Sequence, residues 1–258
     1  MARIMLDPGH GGDDTGACAN GIVERNLNLL VAQEAQELLQ AAGHEVRLTR
    51  QDNAAKLSLF RRANLSVCWP AEVFVSVHHD ADGSEGCVAF YDNADAHNGK
   101  DLATKLGTAL ATEFGLGYSW GDPACLWTYE GHISHLGVLA NCDNWRVADA
   151  ALIECLMLTN SSDAAKTKAA DYPTRAGHAV ASAIQTHIGG DAIARPGVPP
   201  DDDGHDTPPP GQVSSWAAEA AAWMRDSGLS DATRPHDPCT REEIWCYLQR
   251  LAKLVGKA

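Results

Sequence analysis

Residues 4–16 read IMLDPGHGGDDTG, and His10 stands there among three glycines just past an apolar run. An imidazole kept for packing gains nothing from bare backbone on both sides, whereas one that presents a ring nitrogen to another group does. Other chemistry-bearing residues sit in comparable places. Glu24 follows Gly21-Ile22-Val23 ahead of a helical pattern, His78 and His79 close the run VFVSVHH, and Glu154 follows Ala-Ala-Leu-Ile. Two imidazoles and a carboxylate are a donor set that zinc takes when a fourth position stays open for water. Calcium or magnesium would want oxygens instead. Each residue also has a plainer use. His10 alone fits a turn, and Glu24 alone fits the positive end of a helix. His78 and His79 alternate across a strand, so at most one of them serves a given side. Glu154 is the hardest to dismiss, because a carboxylate buried after an apolar run costs several kcal/mol unless a cation or donors offset it.

The elements that would position these groups alternate strand and helix. Residues 3–6 read as a strand, and Leu27, Leu30, Val31, Ala35, Leu38 and Leu39 repeat at helical spacing up to a stop at Gly43. Residues 45–49 (EVRLT) read as the next strand, 57–65 as a shorter helix, and 73–79 as a β-branched strand followed by another at 86–91. Residues 99–115 form an amphipathic helical pattern, 150–155 a short apolar strand, and 174–188 a last helix. Near-continuous apolar strands separated by helices predict an α/β domain: a mostly parallel twisted sheet with helices on both faces. Sites in such folds lie beyond the carboxyl ends of the strands. That rule gathers His10, the His78–His79 pair and Glu154 at one sheet edge, with Glu24 in the loop leading to the first helix.

Composition narrows the functional classes. The 258-residue chain carries a net charge of −14, which excludes a phosphate backbone as a natural partner. No apolar stretch is long enough to span a membrane. The chain starts directly on a strand-like ARIML, so no signal peptide is expected. None of the eight cysteines falls in a Cys-x-x-Cys pair, and Cys68, Cys87, Cys142, Cys155 and Cys246 have apolar or aromatic neighbours, which suits small buried thiols. Residues 195–212 hold six prolines and four aspartates with little apolar content, the make-up of a linker. The expected organisation is therefore a catalytic domain over 1–190, a Pro/Asp-rich linker over 191–212 and a small helical module over 213–258.

In that order, LDPGHGGDDTGACANGIVERNLNLLVAQEAQELLQAAGHEVRLTR, RRANLSVCWPAEVFVSVHHDA and LGVLANCDNWRVADAALIECLMLTNSSDA resemble the zinc-dependent N-acetylmuramoyl-L-alanine amidases of the third amidase family. Such enzymes cut peptidoglycan between muramic acid and the first alanine of the stem peptide. The resemblance implies zinc held by His10, Glu24 and His78, with Glu154 as the catalytic glutamate. The chain departs from the family at His79-Asp80, where a small residue and Asn are common, and at Cys155-Leu156, where Gly-Phe is favoured. His79 then points away from the metal or toward the cleft rim. The chemistry is coherent: zinc polarises an amide carbonyl and acidifies water, and a neighbouring carboxylate moves the proton to the leaving nitrogen. The glycines around His10 would let a bulky sugar-peptide approach.

Other features are expectations of the same kind. His132 and His135, in the Gly-rich stretch near Trp127 and Tyr129, are candidates, with His79, for contacting substrate. The tail repeats Trp216, Ala220 and Trp223 at helical spacing, and Thr240-Arg241-Glu242-Glu243 opens a second helical pattern as a capping box. It resembles a single S-layer-homology-like unit, implying binding to a wall polymer or self-association. Together these features resemble a bacteriophage endolysin, held in the host cytoplasm until it is released to the wall. A zinc peptidase acting on stem peptides and a non-catalytic wall-binding protein are the alternatives; Glu154 speaks against the latter.

Overall fold

The computed structural model describes residues 1–92, 99–126, 128–129, 132–133, 136–144 and 149–194. Residues 1–193 form one compact unit. Its centre is a six-stranded sheet built from β1 (Arg3–Pro8), β4 (Glu45–Leu48), β5 (Val73–His78), β6 (Val88–Tyr91), β7 (Ala124–Leu126) and β10 (Asp149–Glu154). The spatial order is β4-β1-β5-β10-β6-β7. All neighbours run parallel except β10 and β6, which are antiparallel. Two small hairpins, β2 (Cys18–Ala19) with β3 (Ile22–Val23) and β8 (Thr128–Tyr129) with β9 (His132–Ile133), lie outside this sheet.

Strand side chains alternate between two cores. Ile4, Leu6, Val75, Val77, Ala151 and Ile153 pack in the layer with α1 (Glu24–Ala41), α3 (Gly99–Phe114) and α6 (Tyr172–His187). Met5, Phe74, Val88, Phe90 and Leu152 face the other way, toward α2 (Leu59–Cys68) and α4 (Gly137–Asn144). A short helix, α5 (Ser161–Thr167), precedes α6, and Asn160 caps it by accepting from the amides of Ser162 and Asp163. The expected helix-covered, mostly parallel sheet is what the chain adopts.

The chain order makes a crevice. From β1 the chain passes through α1 to β4 on one side, then through α2 to β5 on the other, with the two helices on opposite faces. Strand order therefore reverses at β1, and the gap beyond the carboxyl ends of β1 and β5 is a topological switch point.

Some details differ from the sequence reading. Glu24 is the first residue of α1 rather than part of the preceding loop, and Val23 occupies the cap position. Leu30 is 47% exposed, off the buried stripe of that helix. The second helix begins at Leu59 because the Ser58 side chain accepts from the Arg61 amide, fixing the start. Cys87, Cys142 and Cys155 are buried thiols, but Cys68, at the end of α2, is exposed. Among the described residues no helix is long and apolar enough to cross a membrane.

Candidate metal centre and its surroundings

Just past β1 the backbone turns sharply, and His10 takes a left-handed φ of 60°. A non-glycine residue held there costs roughly 1–3 kcal/mol, so its surroundings must over-determine it. Two arginines do so. Arg62, from α2, donates to the carbonyls of Pro8 and His10 at 2.9 and 2.7 Å. Arg50 donates to the carbonyls of Pro8 and Gly9, both at 2.9 Å. Arg62 is anchored by a buried ion pair to Asp7 at 2.7 Å. Asp7 in turn accepts from Thr49 Oγ1 at 2.5 Å and Ser76 Oγ at 2.7 Å, so neither charge of this pair stands alone in the core.

The turn delivers His10 to Glu24. Its Nε2 lies 3.1 Å from Glu24 Oε2, and His78 Nδ1, from the end of β5, lies 3.0 Å from Glu24 Oε1. One ligand atom from each of the three residues lies within 4.8 Å of the other two. His10 Nδ1 donates to Asp14 Oδ1 at 3.0 Å, which orients the ring so that Nε2 faces the cluster. Glu24 is 3% exposed. Its Oε2 accepts from the Ala17 amide at 2.7 Å, and its Oε1 from the His79 amide at 3.2 Å and Asn28 Nδ2 at 3.1 Å. Burial opposes its charge, but hydrogen bonds and charge from His10 and His78 prevail and hold the carboxyl far below its ordinary range. Burial likewise opposes the charge of His10, and Glu24 and Asp14 outweigh it, raising its pKa.

Glycine matters here for the protein's own packing. A Cβ on Gly9 would stand 2.2 Å from two atoms of the His78 ring, and one on Gly16 would stand 2.3 Å from Glu24 Oε2 and 2.5 Å from His10 Cδ2. The bare backbone around His10, expected to admit a substrate, is filled by the protein itself: His78 stands against Gly9, the Ala55 carbonyl and Arg50 against Gly11, and Lys56 against Gly12. Two neutral-capable imidazoles and one ionised carboxylate, so crowded that no side chain fits between them and the turn, suit a divalent metal of zinc's preferences.

Glu154 ends β10 directly opposite His78 in the sheet register. Its Oε2 is out of reach of solvent and has no hydrogen-bond partner among the described residues. Burial first, then the negative charges of Glu24, Asp80 and Asp82, push its pKa well above the usual carboxylate value. Beside this edge opens a cleft of about 590 Å³, lined by His10 and His78 together with Leu57, Leu59, Phe60 and Val138. Leu59 and Phe60 are more than half exposed on its wall.

His79 takes the first of its two expected orientations. It is 1% exposed on the α1/α6 side, with Nδ1 2.7 Å from Asn28 Oδ1 and Nε2 2.7 Å from the Tyr172 hydroxyl. Neither nitrogen is left to a substrate, and burial pushes its pKa down to about 3. His132 falls in β9, whereas His135 and the whole tail module, with Trp216 and Trp223, lie outside the described residues. Sequence reasoning did not single out Asp14, Asn28, Arg50, Arg62 or Tyr172. Asn28 had a readable signal, since i+4 spacing from Glu24 puts both on one helix face. The arginines and Tyr172 reach the site from distant segments and had none.

Residues 4–186 match the family model of N-acetylmuramoyl-L-alanine amidase. The chain is 31% identical over 181 residues to the N-acetylmuramoyl-L-alanine amidase LytC of Bacillus subtilis, covering 69% of this chain and 34% of that protein. It is 39% identical over 79 residues to the endolysin of Bacillus phage SPP1, covering 30% of this chain and 29% of that one. Among solved structures, the catalytic domain of the amidase CwlV from Bacillus (Paenibacillus) polymyxa var. colistinus superposes with a TM-score of 0.61 at 26% identity, covering 73% of this chain and 98% of that one. The chain spans about a third of the length of the first curated relatives it matches.

Proposed function

Because the chain belongs to the N-acetylmuramoyl-L-alanine amidase family, we propose that it is a zinc-dependent peptidoglycan hydrolase that cuts the amide between N-acetylmuramic acid and the L-alanine of the stem peptide. One observation carries the reading: His10, Glu24 and His78 converge at the switch point while Glu154 waits beside them with an unpartnered oxygen. A metal ligand set needs the first three, and general acid–base chemistry needs the fourth.

His10 Nε2, a Glu24 oxygen and His78 Nδ1 would hold the ion. When bound, zinc supplies a Lewis acid for the scissile carbonyl and makes water acidic enough to attack near neutral pH. Asp14 keeps the His10 proton on Nδ1, so that Nε2 stays a donor of electrons. Glu24 stays ionised through its amide and imidazole partners. Glu154 accepts the proton of the attacking water at its free oxygen and returns it to the amide nitrogen as the C–N bond breaks, leaving alanine as an amine. Its raised pKa suits both halves of that transfer. The apolar wall of Leu57, Leu59 and Phe60 offers the cleft side on which the substrate rests.

The similarity to the SPP1 endolysin supports a lytic setting, with a host cell wall as the target and the host cytoplasm as the place of synthesis. The tail then serves wall retention or self-association. Digestion of purified peptidoglycan tests the activity. The expected products are free N-terminal alanine and intact glycan strands, with one zinc per chain. New amino termini at other stem-peptide positions would mark a peptidase instead, and no new amine at all would mark a binding protein.

A further inference from the structure

Asn28, His79 and Tyr172 form a buried line that ends on Glu24 and has no part in the proton transfer above. We infer that these three residues are a positioning relay, through which the docking of α6 fixes the Glu24 carboxylate for metal binding. The inference rests on the zinc reading of the site.

The directions of the hydrogen bonds follow from what each group can do. Asn28 Nδ2 faces two acceptors, Glu24 Oε1 at 3.1 Å and the Gly9 carbonyl at 3.4 Å, so the amide can be oriented only one way. Its oxygen must then face His79 Nδ1, which lies 2.7 Å away and donates. A neutral His79 with its proton on Nδ1 has a lone pair on Nε2, and the Tyr172 hydroxyl donates to it at 2.7 Å. Every polar atom along the line has one role, and none can turn without leaving a buried group unpaired. The same histidine adds its own backbone amide to Glu24 Oε1 at 3.2 Å. Three elements are thus tied to one carboxylate oxygen: α1 through Asn28, the end of β5 through His79, and α6 through Tyr172.

The far end is rigid. Tyr172 is fully buried, and its ring packs on Phe114 of α3 at 5.3 Å between centroids. Arg175, one turn on, covers the other partner of that pair, its guanidinium 4.6 Å from the Phe114 ring, while bonding Glu113 at 2.7 Å. A tyrosine so held is a fixed post, and the hydroxyl transmits that fixity to a ligand on another helix. Groups that orient metal ligands in this way typically contribute about 10–100-fold to metal affinity.

The test uses the full chain stripped of metal and titrated with zinc alone against a chromophoric chelator, at a temperature where near-UV circular dichroism shows each variant folded. Tyr172→Phe keeps the ring and removes only the hydroxyl; it is expected to weaken zinc binding about 10-fold. Asn28→Leu, of similar volume, is expected to weaken it at least as much and decides the matter if Tyr172→Phe does not fold. Val180→Ala loosens the buried side of α6 without touching the relay and is expected to stay within about twofold of the wild type. Zinc affinity of Tyr172→Phe within twofold of the wild type would overturn the relay, as would an equal loss in Val180→Ala. A wild-type chain that takes up no zinc would remove the metal site itself, and the relay with it.

Discussion

In the proposed mechanism Glu154 must remain chargeable where solvent cannot reach its Oε2 and three other carboxylates stand near, a tension that would fit it for moving protons. Exchange for Gln keeps the shape and removes the basic oxygen. Glu154→Gln is therefore expected to bind one zinc and keep its fold while losing about 10² to 10⁴ in kcat; turnover within threefold of the wild type on a soluble muramoyl-peptide would remove Glu154 from the mechanism. At this scale, legibility followed local surprise. His10 among glycines, Glu24 at a helix start, His78 after an apolar run and Glu154 at the end of another each break the pattern around them, and the fold brings all four to one edge. Asp14 and Tyr172 break no pattern. Their importance comes from partners 4 and 93 residues away, and only the folded chain brings a partner 93 residues distant within reach. Sequence left the orientation of His79 open for the same reason: alternation separates it from His78, but only α1 and α6 together say what receives it.

Elements were legible where one period persisted. The strands β1 and β5 and the helices α1, α3 and α6 carry long apolar patterns and were found close to their observed bounds. The short β7, α4 and α5 carry too few turns or alternations to stand out, and the reversed direction of β6 is a matter of pairing that no local pattern encodes. One link between elements yields a pH prediction. His187, at the end of α6, lies 2.7 Å from Asp101 of α3 and 2.9 Å from Asp149 of β10. Burial opposes its charge, but the bonds to Asp149 and Asp101 outweigh that and raise its pKa. A raised folded pKa means that the stabilisation is complete below the unfolded value of about 6.5 and fades as pH climbs through the folded value. His187→Gln should therefore cost roughly 1 kcal/mol at pH 5.5, the upper range for a partly exposed ion pair. For a unit of this size, that is about 2–4 °C in Tm. The gap from wild type should close by pH 9; a gap that is constant or wider at pH 9 would show that the ring contributes by packing and not by charge.

At the scale of the whole chain, charge and the proposed wall affinity separate. Residues 1–190 hold 13 Lys and Arg against 23 Asp and Glu, while residues 213–258 hold six of each. A strongly acidic unit gains nothing by diffusion toward an acidic wall polymer, and at low ionic strength it is repelled. A neutral tail with Trp216, Trp223 and Trp245 offers apolar contact without that repulsion. A chain of its length rarely draws more than 3–5 kcal/mol from its own core, so a partner surface, either wall or second copy, is its natural supplement. Residues 1–193, a compact unit with the whole proposed ligand set inside it, should then match the full chain in kcat/KM on a soluble muramoyl-peptide. On intact sacculi the same truncation should lose about 10-fold or more, since a tethered second contact raises retention by ~10² or more. Salt should recover part of that loss, because at 0.15 M charges beyond ~8 Å are screened. Sacculus pull-down and sedimentation of both forms separate the two uses of the tail: wall retention lowers the free fraction of the full chain alone, and self-association raises its sedimentation coefficient before any wall is present. Equal retention and equal monomeric sedimentation of the two forms would leave the tail without either use.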